Sequence, residues 1–203
     1  MVQALENLSI HYRIKGDATR AALYSKLTAE EQARGTPRIL SEVPVFLLGI
    51  PADEGLTNKE MEALLDSARE KGLKVSDWAR RIIGRADVSK DPQASELMAL
   101  DNLTMGLPEY PTTTQVWEKS AEFGNKISAE RFVRFAIEAA EGKIPVEIGK
   151  PFVAIMEPVA GTSGGPGVLC LGRSGGGLWL DGRYADSDDQ WGPVFRFVVS
   201  SRK

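Results

Sequence analysis

A chain of 203 residues is long enough to bury a substantial core, as one large domain or two small ones. An apolar fraction of 42% with 26% charged residues is that of an ordinary globular protein, and no window approaches the ~18 uninterrupted apolar residues of a membrane span. The net charge of −3 excludes a generally basic surface for phosphate, and Cys170, the one cysteine, excludes an internal disulfide and a cysteine-based zinc site.

The N-terminus, MVQALENLSIHYRIKGD, lacks a basic-then-apolar signal pattern, so a cytoplasmic protein of bacterial or phage type is expected. Residues 1–42 read as a mixed segment. Leu8–Lys15 alternates like a strand, and Ala18–Leu27 and Thr28–Arg34 read as helix. Thr28 and Glu31 fit a capping box, in which the two side chains satisfy each other's orphan amides. Val43–Ile50 is an apolar run too short for a helix and interrupted by Pro44, so it is expected as a buried or edge strand.

Leu56–Ala86 is the most strongly specified stretch. Thr57 and Glu60 form a capping box, and Met61, Leu64, Leu65 and Ala68 fall on one helical face. Gly72 stops this helix and Ser76 caps a second, whose apolar face is Val75, Trp78, Ala79, Ile82 and Ile83. Arg80, Arg81 and Arg85 lie off that face. Residues 87–113 read as a connection holding a short helix, Gln93–Leu100, between Pro92 and the breaker cluster Gly106–Pro111. The pattern of the first pair then returns: Ser120–Ser128 echoes Ser67–Ser76 one residue shorter, and Phe132, Phe135, Ala136, Ala139 and Ala140 share a face. Val116–Ala140 is therefore either an internal duplication or a second hairpin with the same spacings.

After Ile148 the character changes to β. Phe152–Glu157, Val168–Leu171, Leu178–Leu180, Arg183–Ala185 and Val194–Ser200 are short apolar or alternating runs between glycines. Asp181-Gly182 reads as a type I′ hairpin turn and Arg173–Gly177 as another, giving an antiparallel sheet of about four strands. The expected class is α+β: a segment 1–42, a mainly helical region 43–148 built of helical hairpins, and a C-terminal antiparallel module 149–203.

The run Gly72-Leu-Lys-Val-Ser-Asp-Trp-Ala-Arg-Arg-Ile-Ile83, with the strand-like Val43–Leu48 upstream, resembles the ribbon-helix-helix proteins. That resemblance implies a paired ribbon in the DNA major groove and a phosphate held at the second helix's N-terminus, where free amides and the positive helix end favour an anion. It points to Lys74, Ser76, Arg80, Arg81 and Arg85 as nucleic-acid contacts. The local charge supporting this is small, with eight basic against six acidic residues over Thr57–Lys90.

Gly161-Thr-Ser-Gly-Gly-Pro166 resembles the nucleophile loop of trypsin-like serine proteases. That chemistry needs a histidine base held by a carboxylate, and His11, the one histidine, stands about 150 residues upstream without the family's surroundings. It reads as a β-turn loop, and no Gly-Lys-Ser/Thr follows to make it a phosphate loop. Asp186-Ser-Asp-Asp189 lacks the glycine and distal glutamate of a calcium loop. Trp179, Tyr184 and Trp191 are candidate interaction residues in the sheet region. No catalytic set, cofactor or metal is expected. The expected function is a non-enzymatic binding protein, either a DNA-binding accessory or regulatory protein, or a protein-interaction component acting through the C-terminal sheet.

Overall fold

The computed structural model describes residues 48–50, 54–86, 95–160 and 165–201. All the described residues belong to one compact unit, Val43–Lys203. The strand and helices expected before residue 43, with His11, and the core of the GTSGGP loop lie outside the described residues.

Local chemistry sets the helices. Helix α1 (Asn58–Glu70) begins at Thr57, whose hydroxyl accepts from the Glu60 amide while Glu60 reaches back to the Thr57 amide, completing the capping box. It buries Met61, Leu65 and Ala68 and ends at Gly72, which adopts φ +91°. Helix α2 (Asp77–Ile83) is capped by Ser76, and helices α3 (Thr113–Ser120) and α4 (Ala129–Ala140) by Thr112 and Ser128. Both helix pairs repeat one order: a helix opened by a capping box, a short strand, then a helix capped by serine in extended backbone. The strands between are β2 (Leu73–Val75) and β4 (Gly124–Asn125).

The remaining strands are β1 (Leu48–Ile50), β3 (Ser95–Leu100), β5 (Phe152–Ala154), β6 (Val159–Ala160), β7 (Pro166–Ser174), β8 (Gly177–Tyr184) and β9 (Arg196–Ser201). They join in one sheet of order β1-β3-β9-β5-β7-β8-β2, with β4 on β9 and β6 on β7. Most pairs are antiparallel; β5 on β9 and β2 on β8 are parallel. The protein is α+β. Its sheet draws strands from both sides of residue 148, so the C-terminal strands form no sheet of their own.

Two expectations are corrected. Residues 95–100 form strand β3, not the end of a helix: the helix-favouring run Ser-Glu-Leu-Met-Ala-Leu is overridden because β1 and β9 pair with it on its two sides. The burial of Leu97 and Ala99 between half-exposed Glu96 and Met98 has the strand period. Asp181-Gly182 is not a turn either. Both residues lie inside β8, and the hairpin turns instead at Ser174–Gly177, where Gly177 takes φ +115°.

Register sorts the sheet's two faces. Phe152, Leu171 and Leu180 are aligned across β5, β7 and β8, and α4 lays Phe135 on Phe152 with ring centroids 5.3 Å apart. Helix α2 covers the same face over Gly182. The opposite face carries Phe197, and there Trp191 packs edge-on against Phe195 and Phe197, while Trp117 of α3 lies 6.0 Å from Trp191. Between α4 and the start of α1, the Glu130 carboxylate accepts three successive backbone N–H groups, from Glu54, Gly55 and Leu56, at 3.0–3.1 Å. Arg134 closes this clamp by donating to Glu130 and pairing with Glu54. Burial alone would raise the Glu130 pKa, but the Glu54 and Leu56 amides and Arg134 outweigh it and hold the carboxyl below its ordinary value.

Candidate functional site

The candidate residues are brought together in part, around the junction of β2, α2 and β8. Lys74 is aligned with Trp179 on the adjacent strand, and its ammonium lies 4.7 Å from the indole centroid, a cation–π contact. Trp179 is 39% exposed. Ser76 is next along the same edge. Its hydroxyl accepts from the Ala79 amide at 3.0 Å and donates to Asp181 Oδ1 at 2.5 Å. The Asp181 carboxylate thus sits beside the helix end that the ribbon-helix-helix resemblance assigns to phosphate, and it also accepts from the Gly182 amide.

The arginines divide. Arg80 is paired with Glu62 and Asp66 of α1. Arg85 donates to the Ala160 carbonyl at 3.1 Å. Arg81 is exposed on the outer side of α2. Helix α2 meets the sheet through Trp78 and Ile82, which lie directly over Gly182, and the Trp78 ring leans on Tyr184 with centroids 4.6 Å apart.

The three candidate aromatics do not form one surface. Trp179 and Tyr184 differ in parity along β8, so they face opposite sides of the sheet. Tyr184 is 49% exposed beside α2. Trp191 is corrected outright: at 2% exposure it is a core residue, its indole N–H donating to Thr113 Oγ1 at 2.9 Å. Its ring anchors α3 and the 186–195 segment to the sheet, and it presents nothing to a partner.

Sequence reasoning missed Glu62, Asp66 and Asp181 as the groups that occupy Arg80 and Ser76. Glu62 and Asp66 had a local signal, since both lie on the helix preceding Arg80. Asp181, 105 residues from Ser76, had none. Among the described residues no cluster of three or more histidine, cysteine or carboxylate side chains is arranged to hold a metal ion, and no helix is long and apolar enough to cross a membrane. Cys170 is buried on the face opposite α2, and burial pushes its thiol pKa up to about 12, far from a nucleophile's range.

No family model matches the chain, and no solved structure matches it. Among curated proteins the chain is similar to the histone transcription regulator 3 homolog of Chaetomium globosum, with 27% identity over 127 residues. The match covers 57% of this chain and 6% of that protein, so the chain spans only a small fraction of the curated relative's length.

Proposed function

We infer that this is a non-enzymatic binding protein that docks on a protein partner through the exposed margin of its sheet, centred on Trp179 and Lys74. The observation that carries this reading is the exposure of Trp179 on a strand whose neighbours Leu178 and Leu180 are buried. Tryptophan and tyrosine are enriched among the anchors of protein interfaces. Arg80 is already matched by two carboxylates, and Asp181 would repel a phosphate arriving at Ser76. A regulatory role agrees with the curated relative's description as a transcription regulator homolog. Duplex DNA is the second reading, favoured by the exposure of Lys74, Arg81 and Arg85 along one stretch of chain.

Affinity capture from nuclease-treated native lysate separates the two. Protein docking predicts a captured partner that is lost with Trp179→Ala and kept with Arg80→Ala/Arg81→Ala. Nuclease-sensitive capture, or equal capture by Trp179→Ala, overturns it. DNA binding at low salt that weakens as salt rises and disappears in the arginine double variant supports the second reading.

A further inference from the structure

The turn between β7 and β8 leaves a vacant point surrounded by hydrogen-bond donors. A Cβ built on Gly176 would lie 3.7 Å from Lys74 Nζ, 3.7 Å from Ser174 Oγ and 3.8 Å from Trp179 Nε1. An ammonium, a hydroxyl and an indole N–H therefore converge on the place where this glycine lacks a side chain. Ser174 Oγ accepts from the Gly176 amide, which leaves its proton to donate outward.

Neither Lys74 nor the Trp179 indole N–H has a hydrogen-bond or ion-pair partner among the described residues. The contrast within the molecule is informative. Among the described residues Lys71, Lys119, Lys126, Lys143 and Lys150 are paired with glutamates and the indole N–H groups of Trp117 and Trp191 are bonded, whereas Lys59 and the Trp78 indole N–H share the unpaired state of Lys74 and Trp179 but stand apart from this turn. Here the donors are gathered and no acceptor is supplied.

Resting on the docking reading above, we propose that Lys74, Ser174 and Trp179 around Gly176 bind a carboxylate of an acidic partner peptide. One ammonium and two neutral donors match the charge and lone pairs of a single carboxylate, and charge-assisted bonds of this kind are the strong ones. The exposed Trp179 ring offers an apolar wall to the stem of a glutamate or to its neighbour.

The test uses the full chain and follows the Trp179 indole N–H signal by NMR, assigned with Trp179→Phe, during titration with N-acetylated hexaglutamate. The signal is expected to shift saturably while those of Trp117 and Trp191 stay fixed, and hexaglutamine is expected to have no effect. Gly176→Ala is the sharpest variant. Its methyl group makes only ordinary contacts and has no positive φ to strain, yet it fills the vacant point, so the fold is kept and binding is lost. Lys74→Ala is expected to weaken binding by about two- to fivefold, and Lys74→Arg to retain part of it. The proposal is overturned by an unmoved Trp179 signal, by an equal response to hexaglutamine, by unchanged binding in Gly176→Ala, or by inorganic phosphate shifting the signal where hexaglutamate does not. If any of these occurs while lysate capture still depends on Trp179, the carboxylate assignment falls and the docking reading stands. Loss of both removes the docking reading too.

Discussion

Gly182→Ala is expected to destabilise the protein, and its cost follows from the packing of α2. An alanine Cβ at this position would lie 2.5 Å from Cδ2 and 2.6 Å from Cγ of Trp78, and 2.9 Å from Cδ1 of Ile82. Carbon atoms rest about 3.5–4.0 Å apart, so the indole must retreat by about 1 Å. It has little room, because its other side leans on Tyr184 and α2 is fixed by Ser76 and the burial of Ala79, Ile82 and Ile83. Overpacking of this kind costs ~1–3 kcal/mol, from which the reduced freedom of the unfolded alanine chain recovers roughly 0.4–1. The net is about 1–2 kcal/mol, or a fall in Tm of roughly 2–8 °C for a chain of this size. Urea unfolding followed by circular dichroism measures it. The same substitution in a Trp78→Ala background should cost almost nothing, because the remaining contact is the far end of the Ile82 side chain. Wild-type stability in Gly182→Ala, or an equal loss in both backgrounds, would refute the packing account.

Acid should loosen the junction between α4 and the start of α1. The Glu130 carboxyl titrates below its ordinary value in the folded state, so its contribution is present above the unfolded pKa of about 4.5 and is lost as pH falls through the lower folded value. Glu130→Gln should reduce stability at neutral pH by about 1–3 kcal/mol and flatten the dependence on pH below 5; an unchanged acid profile in urea titrations would contradict this. Cys170 should resist a disulfide reagent in the native protein and react only at the rate of opening, because its thiol is buried and its pKa is raised to about 12. Fast stoichiometric labelling without denaturant would show the site to be open.

What was legible in the sequence was local. The capping pairs Thr57/Glu60 and Thr112/Gln115, the stop at Gly72 and the buried stripes of α1, α2 and α4 depend on neighbours within a few residues. What was hidden depended on partners far along the chain. Leu73–Val75 looks like a turn until β8 supplies a parallel neighbour, and the Ser95–Leu100 run keeps a helical composition while serving as an interior strand. Asp181-Gly182 carries a turn signature because Gly182 is small for another reason, to admit the Trp78 ring. The same holds for the candidate site. Lys74 and Ser76 were readable from the helix start, but their partners Trp179 and Asp181 come from the other end of the fold, and the burial of Trp191 depends on Phe195, Phe197 and α3 together.

The position of β9 bears on how the molecule acquires its shape. Residues 196–201 are hydrogen-bonded to β3 on one side and to β5 and β4 on the other, and among the described residues no other strand pairing links β1-β3 to β5-β7-β8-β2. A chain lacking this strand would hold two unconnected ribbons, each with an unpaired edge open to other chains. Joining them closes loops of about a hundred residues between β3 and β9, an entropic cost met before the pairing rewards it. Folding should therefore be slow for a chain of this size, because these non-local pairings must be closed before they stabilise the sheet.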